Sequence, residues 1–197
     1  MEIQEIYQTQ KQKIQKRLKE FKSLEEKSYF QEFLFCLLTP QSQAQKCWQA
    51  VEELSRLKKF TKNKVEQILK SKTRFHKTKT KRIIKALNNW DNIKSKLNNN
   101  TLELRDWLAD NIDGLGMKES SHFLRNIGFS NNQIAILDRH ILKNLKEFNL
   151  IKETKINSEK DYLRIEKIYL DFANSIGIPP DELDLLLWSK ENGEIFK

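Results

Sequence analysis

The residues of this chain best equipped to do chemistry lie between Ile112 and Gly128. Ile112-Asp113-Gly114-Leu115-Gly116-Met117-Lys118 reads as a tight Gly-x-Gly hairpin that enters a helix, with a lysine in that helix's first turn. Glycines there let the backbone take positive φ and approach another molecule closely. The amides that open a helix have no intrahelical acceptors and lie at the positive end of its dipole. Such a place suits a phosphate oxygen, which makes Gly114, Gly116 and Lys118 candidate DNA-phosphate contacts. Lys118 offers more than charge. A free lysine, with a pKa of about 10.4, is protonated at neutral pH and cannot attack. A helix N-terminus and partial burial both disfavour the cation. The released amine could attack C1′ of a deoxyribose and form a Schiff base, from which β-elimination cuts the strand. Asp138, just ahead of the helical run Arg139-His140-Ile141-Leu142, adds a carboxylate. A lysine nucleophile and a later aspartate are what base removal with strand cleavage requires. Each also has a plain reading. Lys118 could only touch phosphate, and Asp138 could be an ordinary helix N-cap. The second reading is compatible with catalysis, because a carboxylate that accepts backbone amides stays ionised and fixed in place.

The elements that must position these groups are helical. Only 5 Gly and 3 Pro punctuate 197 residues, and no sustained alternation marks a strand. Apolar faces recur at Ile14, Leu18, Phe21 and Leu24, then at Ala44, Cys47, Trp48, Val51 and Leu54. Two more follow at Ile134, Leu137, Ile141, Leu145 and Phe148, and at Tyr162, Ile165, Tyr169, Phe172 and Ile176. Pro179-Pro180-Asp181 predicts the start of a last short helix. Asn98-Asn99-Asn100 reads as a linker or turn before Thr101. The fold class is all-α, with the hairpin motif at about residues 107–128, and the length is that of one domain over 1–197.

Composition narrows the function. The formal net charge of +9 suits a polyanionic partner, although a chain rich in Lys, Asn, Ile and Gln could carry such a charge through compositional bias alone. The 2 cysteines, Cys36 and Cys47, cannot ligate an iron–sulfur cluster or build a four-thiolate zinc site, and both read as small core residues. His122 and His140 lack partners at metal-ligand spacing, so neither a metal nor a cofactor is expected. With no signal peptide and no membrane-length apolar run, the protein is expected to be intracellular, reduced and soluble, with no membrane partner.

Gly114-Leu115-Gly116-Met117-Lys118 together with Leu137-Asp138-Arg139-His140 resembles the helix-hairpin-helix DNA glycosylase superfamily. Leu37-Leu38-Thr39-Pro40-Gln41-Ser42 is similar to its leucine-leucine-x-x-glutamine loop. The ending Leu186-Leu187-Trp188-Ser189-Lys190 through Lys197 resembles the small type 2 8-oxoguanine DNA glycosylase/AP lyases. The resemblance spans nearly the whole chain. It implies two helical lobes with a DNA cleft between them, the N- and C-terminal helices sharing one lobe. It also implies Lys118 as the Schiff-base nucleophile and Asp138 as the carboxylate that stabilises charge developing on the sugar. His140 would support the site.

Other residues follow from the same resemblance. Gln41 would probe or fill the gap left by the extruded base, where the plain alternative is a polar cap after Pro40. Independently of the resemblance, the densest basic run, from Ser71 to Arg82, contains one aromatic and could track phosphate, with Arg74 and Phe75 touching the base opposite the lesion or its neighbours. That run could instead be a solvated face. Trp188 and Lys197 would read the damaged base, since a flipped purine needs a π-face and polar partners along its edge. The alternatives there are a core tryptophan and a frayed end. The implied substrate is double-stranded DNA containing 8-oxoguanine, bound by a monomer. An oxidised-pyrimidine enzyme of the same chemistry and a non-catalytic DNA-binding hairpin are the rivals. Missing cluster cysteines speak against the first, and the Lys118–Asp138 pair against the second.

Overall fold

In a computed structural model that describes residues 2–97 and 100–197, every regular element is a helix. The order is α1 (Glu2–Lys22), a short 3-10 turn (Glu26–Ser28), α2 (Tyr29–Leu38), α3 (Ala44–Ser55), α4 (Lys62–Lys70) and α5 (His76–Asn88). Then come α6 (Trp90–Ser95), α7 (Thr101–Asn111), α8 (Met117–Asn126), α9 (Arg139–Glu147), α10 (Glu159–Ser175) and α11 (Pro180–Asn192). Of the expected asparagine turn, Asn98 and Asn99 lie outside the described residues. Asn100 caps α7, its side chain accepting from the Glu103 amide at 3.3 Å.

Two separate apolar cores define two lobes. The first is contiguous in sequence, from Phe33 to Ile134. At its centre is α2, whose run Phe33-Leu34-Phe35-Cys36-Leu37-Leu38 is wholly buried and packs on α3, α5 and α8. Phe33 meets Phe123 edge-on at 5.4 Å and Trp90 at 5.2 Å, spacings typical of favourable aromatic pairs. Cys36 and Cys47 are both free thiols inside this core. The second core joins Tyr7, Ile14 and Phe21 of α1 to residues between Ala135 and Leu187. Here α1 lies along α11, tied by Tyr7 Oη donating to Glu182 at 2.6 Å and Ser189 Oγ donating to Gln10 at 2.7 Å. The first and last helices thus share a lobe. No described helix is long and apolar enough to cross a membrane.

Two expectations from periodicity need correction. Ile134 and Leu137 are buried, but not on a helix: residues 133–138 form a connector without regular structure, and α9 begins only at Arg139. Ile134 faces the first core and Leu137 the second, so their burial follows the two lobes and not a helical repeat. The last helix is also not short, running 13 residues to a left-handed Gly193 at φ +79°.

The lobes are joined by buried polar bonds. Arg105 of α7 donates to Glu166 of α10 at 2.6 Å, both side chains nearly inaccessible, and Glu166 also accepts the Ala135 amide at 2.8 Å. Removing one member of such a pair strands a buried charge. Arg105→Met should therefore destabilise the protein by about 3–5 kcal/mol in urea unfolding, whereas adding Glu166→Gln, which keeps the acceptor for Ala135, should recover much of the loss. Equal stability of the single and double variants would contradict this.

Candidate active site

Where the lobes meet, a cleft of about 880 Å³ opens between the α2–α3 turn, the α4–α5 turn, the start of α8, the connector before α9, and α11. It collects seven of the residues singled out from the sequence: Gln41, Arg74, Lys118, Asp138, His140, Trp188 and Lys197. Gly114, Gly116 and Phe75 are not among its lining residues.

The hairpin between α7 and α8 supplies Lys118. Its bend is closed by the Leu115 amide bonding Ile112 O at 3.0 Å. Gly114 sits at φ +100°, and a Cβ there would also strike the Arg82 side chain, so only glycine fits. Gly116 differs from expectation. Its φ of −103° is ordinary, and it serves as the N-cap of α8. Its amide is already engaged, donating to Glu119 Oε2 at 3.4 Å. Glu119 Oε1 meanwhile lies 2.8 Å from Lys118 Nζ. One carboxylate therefore occupies the anion position of the hairpin and holds the lysine.

Asp138 is an N-cap. Its Oδ1 accepts from the amides of His140 and Ile141 at 2.8 and 2.9 Å, while among the described residues nothing bonds Oδ2. The α9 N-terminus thus fixes one oxygen of a carboxylate that lines the cleft and leaves the other without a hydrogen bond. His140 lies beside it, with Nδ1 at 3.9 Å from Glu191 and Nε2 accepting from Arg139 at 3.2 Å.

Across the cleft, Gln41 occupies the third position of a turn closed by the Ser42 amide on Thr39 O, with Pro40 second. That position favours Gly or Asn because it calls for positive φ. Gln41 takes it at φ +55°, a strain of order 1–3 kcal/mol. Phe75 is likewise left-handed at φ +57°, 54% exposed, with the Arg74 guanidinium 5.4 Å from its ring centre.

The floor of the cleft joins Lys197 and His122 to Glu32, Asn126, Arg125 and Asp184, four residues that sequence reading passed over. Lys197 is no frayed end: its side chain is 9% exposed, its Nζ stands 3.5 Å from the Trp48 ring centre, and it forms an ion pair with buried Glu32. Burial pushes the Lys197 ammonium below its usual range, with Glu32 opposing. Glu32 in turn accepts from Asn126 at 2.9 Å. Arg125 meets Asp184 at 3.3 Å, yet its Nε and Nη1 are buried without a partner, as is His122 Nε2. Burial raises the Asp184 carboxyl to about 7 against the pull of Arg125, and burial drives the His122 imidazole well below its normal value. Trp188 lies over this floor, tilted 6.3 Å from Phe196. A pocket with unpartnered donors beside a π-face is built to take a flat polar group. Among the described residues no cluster of His, Cys, Asp or Glu stands ready to hold a metal ion.

A sequence model of the family described as 8-oxoguanine DNA glycosylase matches residues 14–178. The chain belongs to this family. The 8-oxoguanine DNA glycosylase/AP lyase of Fusobacterium nucleatum is 42% identical over 210 residues, covering 100% of this chain and 96% of that protein. The crystal structure of the Thermotoga maritima 8-oxoguanine DNA glycosylase superposes with a TM-score of 0.89 at 31% identity, covering 100% of this chain and 97% of that one. The Methanocaldococcus jannaschii 8-oxoguanine glycosylase/lyase, solved in complex with a 15mer DNA containing 8-oxoguanine, superposes with a TM-score of 0.86 at 34% identity over 100% of both chains. The fold is thus that of the helix-hairpin-helix 8-oxoguanine glycosylases. Within this family frame, Arg125 and Asp184 were open to detection. Arg125 follows Lys118 by two helical turns, and Asp184 precedes Trp188 by one, so each shares a helix face with a residue already singled out.

Proposed function

We propose that this chain excises 8-oxoguanine from double-stranded DNA and then cleaves the strand, with Lys118 as nucleophile and Asp138 as the electrostatic partner. The observation that carries this reading is the meeting of Lys118, Asp138 and Trp188 in one cleft above a floor of unpartnered polar atoms. In the proposed sequence a backbone phosphate binds at the hairpin amides and draws Glu119 away. Lys118 Nζ, having lost a proton, attacks C1′ of the extruded nucleotide. The bond from C1′ to the base breaks with the electron pair going to the base, which leaves neutral by taking up the proton that Lys118 gave to solvent. The free oxygen of Asp138 faces the positive charge growing on the sugar. The C1′–O4′ bond of the resulting aminal then breaks, its electron pair and a proton passing to O4′, and leaves a protonated Schiff base that acidifies the C2′ proton; loss of that proton expels the 3′ phosphate. Water then hydrolyses the imine and returns the lysine.

The base is read at the far end of the cleft. Trp188 offers the stacking face, and Lys197 with Glu32, Arg125 and Asp184 supplies donors and acceptors along the purine edge. Gln41, Arg74 and Phe75, on the opposite rim, fill the gap and meet the orphaned base, while His140 steadies the Asp138 end. The protein works as a monomer without a cofactor.

The test compares three duplexes, carrying 8-oxoguanine, an oxidised pyrimidine or a preformed abasic site, with wild type, Trp188→Ala and Lys197→Met. Wild type should excise 8-oxoguanine in preference to the pyrimidine. Trp188→Ala should lose roughly 10–100-fold on 8-oxoguanine, matching about 1–3 kcal/mol of stacking per base. Its loss at the abasic site should be far smaller, because that substrate offers Lys118 a sugar but no base to read. Lys197→Met should show the same split. Preference for the pyrimidine would overturn the substrate assignment, and equal losses on both substrates would make Trp188 and Lys197 structural.

A further inference from the structure

One lysine of the basic run from Ser71 to Arg82 does not face solvent. Lys79 of α5 is 2% exposed, and its ammonium donates to Leu38 O at 2.7 Å, Pro40 O at 2.8 Å and Ser42 Oγ at 2.8 Å. These three acceptors use all three of its protons. None is a carboxylate; burial, aided by repulsion from Arg82, Arg74 and Lys118 and opposed by Cys47, lowers the ammonium to about 8. Lysine is rarely buried without a counter-ion, and methionine would fill the same space without that cost. What the ammonium does achieve is specific. Leu38 O is the last carbonyl of α2, Pro40 O is the peptide oxygen leading into Gln41, and Ser42 closes the turn. A residue held at positive φ persists only where its surroundings over-determine it, and Lys79 brackets Gln41 on both sides. Ser42 Oγ also accepts the Arg74 amide at 3.0 Å, which carries the same hub into the second strained turn, at Phe75.

We propose that Lys79 is a positioning residue for lesion extrusion, its ammonium locking the Gln41 turn and the Arg74–Phe75 turn into one rigid rim that meets the duplex as the damaged base leaves. This rests on the reading of Gln41, Arg74 and Phe75 as gap and opposite-base contacts. Rigidity matters because the gap-filling groups must be in place while the base is still out of the stack. A loosened rim would have to order itself at that moment, and the ordering would add to the barrier for extrusion. An abasic site has no base to unstack, so the rim matters less there.

The experiment measures single-turnover excision of 8-oxoguanine, cleavage of a preformed abasic site, and the fluorescence of a 2-aminopurine placed beside the lesion as a reporter of base extrusion. Lys79→Met, with folding checked by circular dichroism, should slow excision roughly tenfold, the scale of losing a hydrogen bond to a charged group, and slow abasic-site cleavage less than about threefold. The 2-aminopurine rise should slow in step with excision. In a Gln41→Ala background, Lys79→Met should cost little more, since a group that acts through another shows non-additivity. Ser42→Ala, a milder cut through the same hub, should reproduce the split on a smaller scale and serves if Lys79→Met does not fold. Proportional losses on both substrates, or full additivity with Gln41→Ala, would overturn the proposal. Absence of 8-oxoguanine excision by wild type would instead strike the functional reading beneath it.

Discussion

Borohydride should trap wild-type protein covalently on a duplex carrying 8-oxoguanine, and Lys118→Gln should yield no trapped complex. Glutamine is one atom shorter and polar, and its amide nitrogen lone pair is delocalised and cannot form an imine, so the loss should be complete within detection rather than partial. DNA binding should fall only modestly. Lys118 contributes one cation among many on a chain with a net charge of +9, and the hairpin amides remain. The substitution should also release Glu119 from its ion pair, strengthening that carboxylate's hold on the Gly116 amide. Binding should therefore recover when Glu119→Gln is added, without any return of trapping. A trapped complex retained by Lys118→Gln at wild-type yield would assign the nucleophile to another amine.

Asp138→Asn should slow base excision by at least roughly 10²-fold, the scale of removing a preorganised electrostatic group, while changing stability by less than about 1 kcal/mol. The separation follows from the two oxygens of Asp138. Oδ1 caps α9 through the His140 and Ile141 amides, and asparagine caps as well as aspartate. The charge carried toward the sugar is what the substitution removes. Single-turnover excision and thermal unfolding on the same preparation decide the matter. A folded Asp138→Asn with near-normal excision would leave Asp138 as a cap and nothing more.

Much of this was legible in the sequence, and the failures have physical causes. The hairpin could be read because positive φ at Gly114 demands glycine, and because a lysine at the head of a helix has few structural uses. Asp138 could be read because a cap is a local feature. Periodicity placed Ile14, Val51 and Tyr169 on buried faces correctly, since helix burial follows the local repeat. It failed at Ile134 and Leu137, where burial comes from the meeting of two lobes. The basic run was misjudged at Lys79 for a related reason. Charge composition says nothing about which lysine points inward, and the three oxygens that bind it lie about forty residues away, at Leu38, Pro40 and Ser42. Glu32, paired with both Asn126 and Lys197, is equally silent in a linear reading. Local geometry announces itself in sequence, whereas an ion pair across a hundred residues does not.

The division of the two cores along the chain also sets an order of assembly. The buried residues of the first core run from Phe33 to Ile134, with Phe196 the one late residue packed against them, so most of this core can close once that stretch exists. The second cannot, because α1, apart from its contact with α8, finds its main partner in α11, through bonds such as Tyr7 to Glu182 and Gln10 to Ser189. During synthesis the apolar stripe of Tyr7, Ile14 and Phe21 lacks that main partner until α11 has emerged. Closing so long a loop costs only about 0.6 kcal/mol for each doubling of its length, and prior folding of the α2–α8 core shortens the effective loop by bringing its ends together. The cleft is then the last part of the molecule to form, since it exists only where the late lobe docks on the early one. A nascent chain consequently carries Lys118 well before it carries Trp188, and has no pocket in which to use it.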